Sequence, residues 1–303
     1  MDEAYLLSHN LSSFMSQPTY TGNIQSHPEF PSRILGNSRD VLVYLPPGYR
    51  RSRNRSYPVL YLQDGQNIFD AGTAFGGVEW QADETAQRLV QQKLIDPVII
   101  VAIANTGEHR IHEYAPTRGR LEEGKRKRSK GLLRQYGGFL INELKPFIDA
   151  RYRTLTAPKD TGLGGSSLGG LATIALGLWF PNVFRRLAVM SPSIWWDDCV
   201  LYQIVEELDE EAKPPLKIWL DTGTNEPGWE RTRVLRDGLL EKGWRLHDDL
   251  HYFEDEGAGH TESAWAQRFD AVLRFLYPPP PSIISAPRRR VRPMVVRRTP
   301  MGV

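Results

Sequence analysis

Short apolar runs alternate along the chain with longer segments of helical spacing. RDVLVYL (39–45) alternates strictly and is rich in Val, Leu and Tyr, so it reads as a strand after the extended stretch YTGNIQSH (20–27). LPPGY then turns the chain. YPVLYLQDG (57–65) is a compact apolar strand ending at Asp64-Gly65, and DPVIIVAIAN (96–105) has the unbroken apolar character of a strand buried on both faces. TGLGG (161–165), RRLAVMSPSIWW (185–196), LKIWLDTG (216–223) and LHDDLHYFEDEG (246–257) read as further strands. Between them lie helical patterns. WQADETAQRLVQQKL (80–94) places Ala82, Ala86, Leu89, Val90 and Leu94 on one face, and GGFLINELKPFIDARY (137–152) follows later. LGGLATIALGLWFP (168–181) stops near Pro181. WERTRVLRDGLLEKGW (229–244) and SAWAQRFDAVLRFLY (263–277) complete the set.

Buried strands alternating with helices predict an α/β fold with a mostly parallel central sheet and helices on both faces. Three domain-level segments are expected: a poorly patterned stretch 1–18, one folded unit over 19–277, and a Pro- and Arg-rich tail, 278–303, without periodicity. Hydrophobic residues make up 40% of the 303, enough for a sizeable core, and the net charge of +2 excludes a polyelectrolyte. The single cysteine, Cys199, rules out an internal disulfide framework and suits a reducing compartment. No apolar run approaches the roughly 20 residues of a membrane helix, and MDEAYLLSHN lacks the pattern of a secretory signal. A cytoplasmic location is the expectation. There is no metal-ligand spacing and no phosphate-cradling loop, so no metal or cofactor is expected.

In α/β sheets, sites form just beyond the C-terminal ends of strands. There stands GGSSLGG (164–170), which fits G-x-S-x-G only when centred on Ser167; centring on Ser166 would put Leu168 where glycine is needed. A strand before it and a helix after it complete the expected nucleophile elbow, with the serine at a helix N-terminus that favours negative charge. A serine needs a base. His260, in EGAGHTESAW between the last strand and the last helix, is the candidate, while His247 and His251 sit in a strand-like segment. The acid that orients the imidazole should lie between them in the chain. IWLDTGTNEPGW offers Glu226, favoured by its loop position, and Asp221 as the alternative. Backbone N–H groups of Leu168 and of Gln66, in DGQN (64–67), are the expected oxyanion donors.

DGQN, GSSLGG, GTNE and GAGH, together with VYLPPGY, YLQDGQNIFD, IANTGEHRIHEYAPT, ELKPFIDARYRT, MSPSIWW and GAGHTESAW, carry a resemblance. Over roughly residues 20–277 the chain resembles the putative-esterase family of α/β-hydrolases, which includes enterochelin esterase-like enzymes, esterase D, feruloyl esterases and mycolyltransferases. The resemblance implies an α/β-hydrolase fold and a serine hydrolase of carboxylic esters, with Ser167, Glu226 and His260 as nucleophile, acid and base. An acyltransferase and a non-catalytic binding protein on the same scaffold stand as alternatives. Arg110, His109 and His112 are candidate substrate contacts, and Tyr114, Trp195 and Trp196 stand either as pocket aromatics or as core residues. GKRKRSKGLLR (124–134) reads as a solvated basic loop; with Arg110 and Arg118 it could instead draw in an anionic, siderophore-like ester. The tail arginines carry no interleaved aromatics, which argues against a nucleic-acid partner.

Overall fold

The computed structural model describes residues 18–121, 127–209 and 213–280. Eight strands form one sheet in the order β1-β2-β4-β3-β5-β6-β7-β8. The strands are β1 (Asn23–Ser32), β2 (Asn37–Leu45), β3 (Val59–Gln63), β4 (Ile99–Ile103), β5 (Thr161–Ser166), β6 (Arg186–Met190), β7 (Lys217–Gly223) and β8 (Leu250–Asp255). β1 and β2 join antiparallel at one edge, and every pairing from β4 to β8 is parallel. This is the mostly parallel sheet expected of an α/β-hydrolase.

Helices cover both faces. Side chains alternate across each strand, so Val59 and Tyr61 of β3 enter one core while Leu60 and Leu62 enter the other. The second core is closed by α1 (Ala82–Gln91) and by the last helix, α8 (Glu262–Leu276). The first lies under α2 (Arg110–Tyr114), α3 (Leu133–Phe139), α4 (Lys145–Arg151), α5 (Leu168–Trp179), α6 (Trp196–Glu206) and α7 (Arg231–Glu241). Three boundaries depart from the sequence expectation. β6 stops at Met190 because Ser191 takes φ 40° and Pro192 follows. α6 is a helix the apolar pattern did not announce, its start broken by left-handed backbone at Asp197, Asp198 and Cys199. β8 begins only at Leu250, since His247 turns at φ 67°. No helix among the described residues is long and apolar enough to cross a membrane. Of the terminal segments, 1–17 and 281–303 lie outside the described residues.

Candidate active site

Ser167 stands alone between β5 and α5, with φ 59° and ψ −124°. A non-glycine residue adopts this backbone only where its surroundings impose it. Here they do. Its N–H donates to Met190 O at 3.1 Å, and its carbonyl accepts from Ser193 N at 3.0 Å, so the end of β6 grips the turn on both sides. The neighbouring glycines supply clearance. A Cβ on Gly165 would come within 2.4 Å of Gln63 Oε1, and one on Gly170 within 2.8 Å of Met190 O. Ser166 is the last strand residue and is buried; Ser167 is half-buried.

His260 lies in the loop between β8 and α8, its ring edge-on to Trp265 at 4.9 Å. Its Nδ1 lies 2.8 Å from Glu226 Oε2. Glu226 Oε1 accepts from Ser191 Oγ (2.6 Å) and Gly223 N (2.8 Å). Burial would raise this carboxyl, but the bonds from His260, Ser191 and Gly223 outweigh it and hold it below the usual glutamate range. Asp221, the alternative acid, is turned elsewhere. Its oxygens take Trp219 Nε1 (2.6 Å), Ser191 N (3.1 Å) and the guanidinium of Arg268 (3.1 Å). Burial pushes its carboxyl up to about 6 against the pull of Arg268.

Ser167 and His260 line one cavity of about 560 Å³, together with Gln66, Asp64, Arg110 and Glu262. Ser167 Oγ lies 3.3 Å from Ser193 Oγ, and among the described residues no hydrogen bond joins it to His260. His260 also borders a second cavity of about 630 Å³, walled by Trp195, Pro227 and Trp229. Leu168 is the first residue of α5, so its N–H has no partner within the helix. Gln66 precedes the first bond of its own tight turn, which runs from Asn67 N to Asp64 O.

The expected substrate contacts fare unequally. Arg110 reaches the first cavity, but Asp64 holds it in a two-pronged pair, Nε to Oδ1 at 2.6 Å and Nη2 to Oδ2 at 2.7 Å. Tyr114 and Trp196 are fully buried in the core, and their rings line neither cavity. The exposed indole is the neighbouring Trp195. His109 and His112 border a separate hollow beside Glu113. Of the basic stretch, residues 124–126 lie outside the described residues, while Lys127 and Arg128 are exposed.

Several residues that shape the site had no reading in the sequence. Arg268 is buried on the apolar face of α8, although an arginine in a helix ordinarily reads as a surface residue. Ser191 ties Glu226 to Trp265, whose Nε1 donates to Ser191 Oγ at 3.0 Å; the only signal was the MSPS text after a strand. Glu262 accepts from Trp80 Nε1 (2.5 Å) and Asn67 Nδ2 (2.9 Å). Burial pushes it up to about 7, with Asp64 adding to the rise against the bond from Trp80.

Residues 32–276 match the model of a family described as "Putative esterase". Among curated proteins, the uncharacterized protein YbbA of Bacillus subtilis is 25% identical over 248 residues, covering 80% of this chain and 93% of its own. The ferri-bacillibactin esterase BesA of the same organism is 27% identical over 249 residues, covering 75% and 81%. Among solved structures, the BES protein from Bacillus cereus superposes with a TM-score of 0.67 at 23% identity, over 88% of this chain and 99% of that one. At that identity the superposition speaks for the fold alone.

Proposed function

The chain belongs to the esterase family that its residues 32–276 match, and from that premise we propose that it is a serine hydrolase that cleaves carboxylic esters through an acyl-enzyme. The observation that carries the mechanism is the His260 Nδ1–Glu226 Oε2 contact of 2.8 Å at the wall of the cavity that Ser167 lines. With Nδ1–H committed to the carboxylate, Nε2 is the free base. Ser167 Oγ leaves Ser193 and attacks the ester carbonyl as Nε2 takes its proton; such catalytic bonds commonly tighten only when substrate is bound. The N–H groups of Leu168 and Gln66 receive the oxyanion. Nε2 returns the proton to the departing alkoxide, then takes one from the water that attacks the acyl-enzyme. Water adds to the acyl carbon and the Ser167–acyl bond breaks, returning the proton to Oγ.

Asp221 holds the scaffold rather than the imidazole, because its oxygens are occupied by Trp219, Ser191 and Arg268. The activity named for BesA supports a siderophore-like ester as substrate, and the lone Cys199 supports a cytoplasmic setting. The test is Ser167→Ala. Hydrolysis of a p-nitrophenyl ester and labelling by a fluorophosphonate should both vanish while the melting temperature is kept. Activity retained in a folded variant removes Ser167 as the nucleophile.

A further inference from the structure

Most deeply buried carboxylates of this protein have a cationic or imidazole partner. Glu113 has Arg39, Asp221 has Arg268, Asp64 has Arg110 and Glu226 has His260. One group does not. Glu79, just before α1, and Asp83 and Glu84, in its first turn, each turn a carboxylate oxygen inward, and these three atoms lie within 4.8 Å of one another. Asp83 is wholly buried and Glu79 is 8% exposed. No ion pair reaches any of the three among the described residues, and the nearby Arg88 is committed to Asp270 at 2.9 Å.

Donors satisfy only part of this group. Thr19 Oγ1 donates to Glu79 Oε1 at 2.5 Å, and Thr21 N donates to Asp83 Oδ2 at 2.6 Å. Glu79 Oε2, Asp83 Oδ1 and Glu84 Oε2 are each shut from water with no hydrogen-bond partner. Three inward-turned carboxylates crowded together with no compensating cation are unfavourable, and a helix N-terminus offsets only roughly half an elementary charge. We propose that Glu79, Asp83 and Glu84 bind a calcium ion. All-oxygen anionic ligands select a hard divalent cation. Calcium bonds at about 2.3–2.6 Å and tolerates an irregular oxygen set, whereas magnesium at about 2.0–2.1 Å demands near-ideal octahedral geometry and keeps its own waters, so a dry cluster of protein carboxylates suits calcium. The ion would join three pieces of chain: the segment at Thr19–Thr21, the first turn of α1, and the end of the 70–79 loop. That loop contributes Phe75, Gly76 and Val78 to the cavity of Ser167, so the cation would brace a cavity wall without touching the reacting atoms.

The full-length protein, stripped with EDTA and exchanged into metal-free buffer, tests this. Titration with CaCl2 should show one ion bound per chain by calorimetry. The melting temperature should rise by about 5 °C or more at a hundredfold excess over Kd, with a smaller rise in MgCl2. Terbium should luminesce on indole excitation, through Trp80 beside Glu79. Asp83→Asn combined with Glu84→Gln should abolish the calcium response and raise the melting temperature of the stripped protein, since the repulsion is gone. If that pair does not fold, Glu79→Gln serves the same comparison. A stripped wild type that neither binds nor is stabilised by calcium overturns the proposal and leaves carboxyls sharing protons. A calcium response equal in wild type and variant overturns it too, by placing the ion elsewhere.

Discussion

The turn after β5 and the loops after β7 and β8 meet at one cavity but are built of different materials. The turn is steric and local. Seven consecutive residues place Ser167 at φ 59°, and glycines keep Gln63 and Met190 clear of it. The opposite rim is polar and assembled from afar. Glu226 reaches His260 only because Ser191 from the end of β6, Gly223 of β7 and Arg268 of α8 fix the carboxylates around it. Close packing fails by clash, and a buried charge network fails by leaving one member unpaired. The two halves of the site should therefore break in different ways.

The largest effect separates the two acids of the rim. Glu226→Gln is expected to lower kcat by about 10³- to 10⁴-fold, since the imidazole loses the partner that fixes its tautomer. Asp221→Asn should leave kcat within about tenfold of wild type. Steady-state kinetics on a p-nitrophenyl ester decides, and the reverse ranking would make Asp221 the catalytic acid. Next comes Arg268→Met, expected to cost about 3–5 kcal/mol of unfolding free energy by stranding the Asp221 charge. Adding Asp221→Asn should recover part of that loss in urea denaturation. No recovery would mean that the guanidinium acts through packing, and the contrast with the turn would weaken.

Gly170→Ala probes the steric half. Its Cβ would meet backbone at Met190 O, 2.8 Å, and Pro192 Cα, 3.1 Å, so about 1–3 kcal/mol should be lost. The loss should not vary with salt between about 0.1 and 1 M, concentrations at which surface charge effects are screened within roughly 10 Å or less. A salt-dependent loss would show that the turn, too, is held electrostatically.

The smallest effect concerns Glu262, which lines the same cavity as Ser167 and His260. Its carboxyl stands near 7 in the fold and 4.5 in the unfolded chain. A raised carboxyl favours the protonated fold, so its contribution is full below pH 4.5 and is lost as pH rises to about 7. Glu262→Gln should flatten the decline of melting temperature with pH across that window, although Gln cannot accept from both Trp80 and Asn67. Parallel curves for variant and wild type would refute the shift.

Much of this was legible before any coordinates. The central strand runs were apolar on both faces and alternated with helical segments, so their burial and a mostly parallel sheet were expected, as DPVIIVAIAN shows for β4, buried throughout. The turn was legible because its constraint is steric and short: a Cβ at Gly165 or Gly170 would clash with its surroundings. For Tyr114 and Trp196 the sequence left core and pocket open, because an aromatic near a strand end fits both, and the partners that decide it, such as Tyr136 at 5.1 Å from Tyr114, lie far along the chain.

The chain's own text therefore determined the α/β architecture, the position of the turn, and the small set of residues from which a base and an acid could come. Periodicity and glycine spacing act within a few residues, and the sequence displays them directly. The tertiary structure alone decided which carboxylate faces His260, that Arg268 is buried against Asp221, and that Glu79, Asp83 and Glu84 are shut in with no basic side chain paired to them among the described residues. The first two depend on charges from separate elements brought within a few ångströms in a medium that screens them poorly; the third depends on the distant Thr19–Thr21 segment closing over carboxylates that are near neighbours in sequence. No local pattern encodes that proximity.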